Sequence, residues 1–192
     1  LGLGTATIVP LADYVSSFAA DGKQKNSVFE LVQLSNDNNG INGLYQIYGE
    51  TNYGDIVINP NHNFRSIFTD GDVRNSSDVM IKTYASGVRN IGKYTKLATN
   101  TKVIRYEEIV LNYAEALLET GDAAGALTQI NRITAQRGAT AYTTATKANV
   151  LLERRKELAF EGDYWFDLGR IPRADAIAIM SAQNRGDRIS SQ

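Results

Sequence analysis

The sequence predicts a mainly helical α+β chain, in which a helix hairpin and a third helix stand beside a long irregular loop region and a small β-hairpin. Three observations carry that reading. From Ile104 to Arg170, apolar residues recur at helical spacing through three successive segments. From Ser35 to Gly71 that periodicity vanishes in a stretch rich in Asn, Gly, Asp and Tyr. Two short apolar runs, Val79–Tyr84 and Ile91–Leu97, are joined through Ser86-Gly87 in the manner of paired strands.

Taken in order, Leu1–Val9 is a Gly/Thr-rich extended lead-in. In PLADYVSSFAADG, Pro10 suits the start of a short helix, where its missing N–H has no partner to lose. Leu11, Tyr14, Val15 and Phe18 then share one face. NSVFELVQL, Asn26 to Leu34, reads as a strand with Val28, Glu30, Val32 and Leu34 on one side. The region from Ser35 follows, broken by Gly40, Gly43, Gly49, Gly54 and Pro60. Loops of that length inside a compact domain are usually functional or disordered.

After the paired strands, the helix Ile104–Thr120 sets Val110, Tyr113, Ala114 and Leu117 at i, i+3, i+4 and i+7. Gly121 supplies the positive φ a helix end favours, and Asp122 an acceptor for the free N–H groups of the next helix. That helix, Asp122–Arg137, repeats the pattern with Ala126, Ile130 and Ile133 and stops at Gly138. Arg132 and Arg137 lie near the negative end of its dipole. So short a link makes the pair antiparallel. The third helix follows the Thr143–Thr146 cluster. Its apolar face is Ala148, Leu151, Leu152, Leu158 and Ala159, with Glu153, Arg154, Lys156 and Glu157 opposite. Arg155 falls on the apolar face, where it must lay its stem along apolar surface or find a carboxylate. In DYWFDLGR, after Gly162, the expected core anchors are Trp165, Phe166 and Leu168, and Asp167 and Arg170 are expected to pair. These charges read as a structural network, because catalytic use would need convergent groups from elsewhere.

Composition narrows the function. A chain of 192 residues can bury one substantial core, removing roughly 70% of its unfolded surface. Lys+Arg number 20 against Asp+Glu 21, which argues against a nucleic-acid or anionic-membrane surface. With no cysteine there is no disulfide, thiolate metal site or cysteine nucleophile. No apolar run approaches the roughly 20 residues of a membrane span, and no signal peptide opens the chain. No period of about 34 residues repeats, so a single helix pair of that kind stands alone.

Acid–base chemistry finds little support. Glu107 and Glu108 point about 100° apart on a helix and cannot flank one bond. His62, the single histidine, sits in an Asn-rich loop and reads as a solvent-exposed or hydrogen-bonding residue. Asn36 to Gly40 superficially resembles a calcium loop, but Tyr48 occupies the slot a twelfth-position Glu would need. No Gly-rich phosphate loop or nucleophile elbow is present, and no cofactor or metal is expected. The loop tyrosines are the better lead. Tyr45, Tyr48 and Tyr53 offer stacking faces for sugar rings, and Asn39, Asn42, Gln46 and Glu50 offer partners for hydroxyls.

Three motifs run in order through the helical region. RYEEIVLNYAEALLETGD presents Arg105, Glu108, Leu111, Ala114, Glu115 and Ala116; ALTQINRITAQRG presents Ala126, Leu127, Ile130, Asn131 and Arg137. ERRKELAFEGDYWFDLGR presents Glu153, Arg154, Glu157, Leu158, Glu161, Gly162, Trp165, Asp167, Leu168 and Arg170. Together they resemble the C-terminal part of the SusD-like (RagB) outer-membrane nutrient-binding lipoproteins. Thr134 stands where an Arg is common, and Tyr164 where Arg or His is frequent. Asp72-Val73-Arg74 is similar to that family's Asp-Pro-Arg element, and Lys93-Tyr94 to a Lys-Tyr pair, whereas Ser27 replaces a usual acidic residue.

The resemblance implies a tetratricopeptide-like hairpin whose signature residues, Arg105, Glu108, Arg154, Glu157, Glu161, Trp165, Asp167 and Arg170, are structural. It implies a non-catalytic protein that captures a glycan or other nutrient over a SusC-like, TonB-dependent transporter. Such a protein would lie on the cell-surface side of a Bacteroidetes-type outer membrane, lipid-anchored through an N-terminal region. The chain is then expected to be one C-terminal portion, cut at both ends. Residues 1–103 would be its loop-rich region, 104–170 the helical signature and 171–192 a tail. Its partners would be a glycan, the transporter and a missing N-terminal half, with apolar surface open on the helix pair. A helical protein-interaction scaffold without a small-molecule ligand is the competing class.

Overall fold

A computed structural model describes residues 6–19, 24–34, 36–37, 63–84, 87–96 and 100–183. The short helix after Pro10 is broken into a 3-10 turn, Leu11–Asp13, and α1, Ser16–Ala19. Tyr14 and Phe18 still face inward, edge to face at 5.3 Å, while Leu11 is largely exposed. Strand β1, Ser27–Leu31, is shorter than its pattern suggests and pairs antiparallel with β4, Thr101–Arg105. Val32 and Leu34, expected to continue the strand, lie beyond it and are exposed. Strand β4 has no counterpart among the predicted elements, because its residues alternate too briefly to stand out before the helix.

The predicted hairpin exists with its second strand displaced. β2, Ile81–Tyr84, pairs with β3, Gly87–Asn90, and not with the run beginning at Ile91. Gly92 explains the shift. The chain turns there against Met80, with Gly92 N–H donating to the Met80 carbonyl at 3.3 Å, and a Cβ would lie 2.9 Å from Met80 Cα. Lys93 and Tyr94 thereby leave the sheet and enter the interior.

The helices follow the sequence closely at their ends. They are α2, Tyr106–Glu119; α3, Ala123–Ala135; α4, Lys147–Glu157; α5, Asp163–Leu168; and α6, Arg173–Gln183, which occupies the start of the expected tail. Gly121 has φ +88°, and the Asp122 carboxylate accepts from Gly125 N–H at 2.8 Å, so turn and cap form as predicted. Thr146 caps α4 through Asn149 N–H at 3.2 Å. Val110, Leu111, Ala114, Ile130, Ile133 and Val150 form one apolar cluster between α2, α3 and α4. Val9, Tyr14, Phe18, Phe64, Met80, Ile81 and Val88 form another beneath the hairpin.

Three faces differ from expectation. On α2, Leu111 is buried while Tyr113 is 53% exposed, so the helix is rotated toward its Leu111 edge. On α4 the charged side turns inward. Glu153, Arg154, Lys156 and Glu157 are buried, whereas Leu151, Leu152 and Arg155 are half-buried and Ala148 exposed. The inversion has a cause: cations and hydrogen-bond donors from distant segments converge on that side. Of the three expected anchors in DYWFDLGR only Leu168 is buried; Trp165 and Phe166 are 67% and 72% exposed. Those two rings meet no core among the described residues.

The end of the long loop is fastened to the end of α3. Val73 N–H donates to the Arg137 carbonyl at 2.8 Å, and Gly71 and Gly138 meet there with φ of +83° and +64°. A Cβ on Gly138 would stand 2.7 Å from the Gly71 carbonyl oxygen.

Candidate functional site

The sequence's charged motifs converge on Glu157 at the end of α4. Its carboxylate accepts from Arg137 Nε at 2.9 Å, Arg105 Nη1 at 3.0 Å and Arg74 Nη1 at 3.2 Å. Glu107, in the first turn of α2, accepts from Arg137 at 3.0 Å, Arg105 at 3.3 Å and Val9 N–H at 3.0 Å. Arg74 also donates to Glu153 at 2.6 Å and is held by Asp72 at 2.7 Å. Beside them Lys93 Nζ donates to the Glu157 and Ala159 carbonyls and to Glu161, and Tyr94 donates to the Phe160 carbonyl. Arg137 stacks over Tyr14 at 4.3 Å.

Electrostatics hold two of the carboxylates, Glu157 and Glu161, in their charged form. Burial alone would raise the Glu157 carboxyl, but the guanidinium groups of Arg137, Arg105 and Arg74 hold it well below the usual range. Burial likewise opposes charge on Glu161, which Arg105 and Lys93 nevertheless keep below its ordinary value. A carboxylate saturated by guanidinium hydrogen bonds has no proton to give and no free lone pair to accept one. The cluster ties β4, α2, the end of α3 and the end of α4 to one another.

Two clefts open beside it. The first, about 230 Å3, lies between β4 and the start of α5 and is lined by Phe18, Asn100, Lys102, Glu161, Asp163 and Phe166 among others. Burial and Arg105 lower Lys102 to about 8, and its Nζ donates to the Ser17 carbonyl. The second, about 430 Å3, lies between α4, α5 and α6 and is mostly apolar. Among the described residues no group of His, Cys, Asp and Glu could hold a metal ion.

The structure separates the predicted residues into three sets. Arg105, Glu157 and Glu161 enter the buried cluster. Arg154, Asp167 and Arg170 form a second group: Arg154 reaches Asp167 at 3.0 Å and Asn112 at 2.5 Å, and Arg170 reaches Asp167 and Glu115 at 2.6 Å. Glu108 is half-buried outside the cluster, where its neighbour Glu107 takes the expected part, and Trp165 is exposed. Asn39, Asn42, Tyr45, Gln46, Tyr48, Glu50, Tyr53 and His62 lie outside the described residues. The chain on either side of them is anchored. Leu34 and Asp37 exchange backbone hydrogen bonds of 2.8 and 3.2 Å. Arg65 donates to Asn75, Ser77 and Thr83, and Phe64 is buried. Sequence reasoning named Glu107 and Glu153 without giving them a part in the buried cluster, and it missed the depth of Arg137. Asp72-x-Arg74 and Lys93-Tyr94 were the signals that charge was meant for the interior.

Comparison with known proteins agrees with this architecture. A sequence profile of the SusD family matches residues 2–191. Among solved structures, a SusD superfamily protein from Bacteroides vulgatus ATCC 8482 is similar with TM-score 0.67 and 26% identity, over 86% of this chain and 40% of its own. A SusD-like carbohydrate binding protein from the same organism gives 0.64 at 21% identity, over 88% and 39%. Surface glycan-binding protein A from Bacteroides uniformis gives 0.57 at 19%, over 90% and 42%; at these two identities the likeness concerns the fold. The chain spans about two fifths of the length of these structures. No curated protein matches it.

Proposed function

Since the chain belongs to the SusD family, we propose that it is the glycan-binding, non-catalytic portion of a surface protein that passes its ligand to a SusC-like, TonB-dependent transporter. The observation that carries this reading is the family match over nearly the whole chain, joined to the shared fold. Support comes from the cations that hold Glu157 and Glu161 charged and from the anchoring on either side of the Tyr- and Asn-rich stretch. In this reading Tyr45, Tyr48 and Tyr53 stack against sugar rings, and Asn39, Asn42, Gln46 and Glu50 bond their hydroxyls. The protein acts at the cell-surface side of the outer membrane, lipid-anchored through a preceding segment.

The test is calorimetric titration of the full chain against an oligosaccharide panel, beside a product assay on the same sugars. Saturable binding without turnover is expected, and a Tyr45→Ala, Tyr48→Ala double variant should nearly abolish it. Sugar cleavage would overturn the non-catalytic reading; unchanged affinity in the folded double variant would move the ligand site off this loop. The exposed Trp165 and Phe166 favour a second reading, a protein-interaction scaffold, which gains if no glycan binds.

A further inference from the structure

The cleft between α4, α5 and α6 contains a charge that the described residues leave unanswered. Arg74, Arg105, Arg137, Arg154 and Arg170 all meet carboxylates. Arg155 does not. It is half-buried, its guanidinium lies 4.8 Å from the Tyr164 ring centre, and no described carboxylate bonds to it. Burial lowers its pKa with only Tyr164 opposing, so its charge is desolvated without compensation from an acid. Stacking occupies the flat face of a guanidinium and leaves the edge, where its N–H groups form a fork that fits a carboxylate.

The surroundings of Arg155 describe what such an acid would be attached to. Leu151, Leu152, Leu168, Ile171, Pro172 and Ile179 wall a space of about 430 Å3. That is within the range of roughly 300–1,000 Å3 typical of ligand sites. Of the other charges on the lining, Asp167 is engaged by Arg154 and Arg170, and Lys147 pairs with Glu119 at 3.0 Å. Asp175 is exposed on α6 and is absent from the charges that act on Arg155, so an acid would be repelled from the α6 end and drawn to α4. A sugar would find few partners for its hydroxyls on these walls. We propose that this cleft binds an amphipathic carboxylate, its apolar chain lying along Leu151, Leu152, Leu168 and Ile179 and its acid group on Arg155. The proposal uses none of the residues assigned to glycan binding and stands whether or not those residues bind glycans.

Octanoate and 1-octanol, alike in chain length and different in charge, are the probes. The full chain is titrated with each, the bound position read from amide chemical shifts. Octanoate should bind about tenfold more tightly than octanol, the gain of a charge-assisted pair. Arg155→Met keeps an apolar stem and should erase that difference while sparing octanol; Arg155→Gln replaces it if the Met variant does not melt like the parent. Leu151→Trp, which fills the cleft, should remove both ligands. Equal affinities in the parent, an octanoate preference that survives loss of Arg155, shifts confined to residues outside α4–α6, or no saturable binding would each overturn the proposal.

Discussion

Glu157 and Arg170 stand thirteen positions apart in one motif, and both make multiple ion pairs, yet they live in different media. Glu157 is 0% exposed and bonded by three guanidinium groups, each from a different part of the chain. The Arg170 side chain is 42% exposed and joins Asp167, on its own turn, to Glu115 of α2. Water can replace either partner of Arg170 at little cost. It cannot reach the partners of Glu157, so each would be left as an unpaired charge in a poor solvent. Pairing is a property of residue types; its energetic weight is a property of burial.

The comparison can be broken most directly at Glu157. Glu157→Ala should cost about 3–5 kcal/mol or abolish folding, because three cations lose their shared acceptor. Denaturant unfolding measures it, and a loss near 1 kcal/mol would place the cluster on the same footing as the surface corner. Ile130→Ala, in the apolar cluster of the hairpin, should cost about 2–5 kcal/mol. It shares no partner with Glu157. Milder variants at the two places, Ile130→Val and Glu157→Gln, should therefore add to within about 0.5 kcal/mol.

Acid sharpens the contrast. Glu157 and Glu161 have folded values below the ordinary one, so their contribution is present above the unfolded glutamate value, about 4.3, and is lost as pH falls through the lower folded value. Stability should decline on acidification below about pH 5, and Glu161→Gln should flatten that decline. Glu108 carries the opposite sign. Burial and the charge of Asp163 raise its carboxyl, so protonation relieves it, and Glu108→Gln should make the acid loss steeper. The smallest effect belongs to Arg170→Ala, about 0–1 kcal/mol, readable as a slight fall in melting temperature. A larger fall would mean that the corner is buried in the protein under test.

Local chemistry was legible in the sequence and long-range chemistry was not. Gly121 and Asp122 punctuate the helices through neighbours within a few residues, so their roles could be read directly. The face of α4 could not be read that way. Its apolar and charged stripes are both continuous, and what selects the charged one is Arg74 meeting Glu153 across 79 positions and Arg105 meeting Glu157 across 52. Trp165 failed as an anchor for a similar reason: ring size predicts burial only where a partner surface exists. The loop tyrosines, read as a sugar platform from composition alone, remain a proposal for the titration to decide.

The meeting of Gly71 with Gly138 has a consequence for how this protein can change over time. A side chain at 138 would press on the carbonyl of 71, and both backbones hold a φ that other residues seldom adopt. Neither position can drift while its counterpart stays where it is, and the hydrogen bond beside them fixes that separation. Single mutational steps through this seam are therefore closed. Descendants of a common ancestor should inherit the two glycines as a unit, a fixed landmark for where the long loop rejoins the helices.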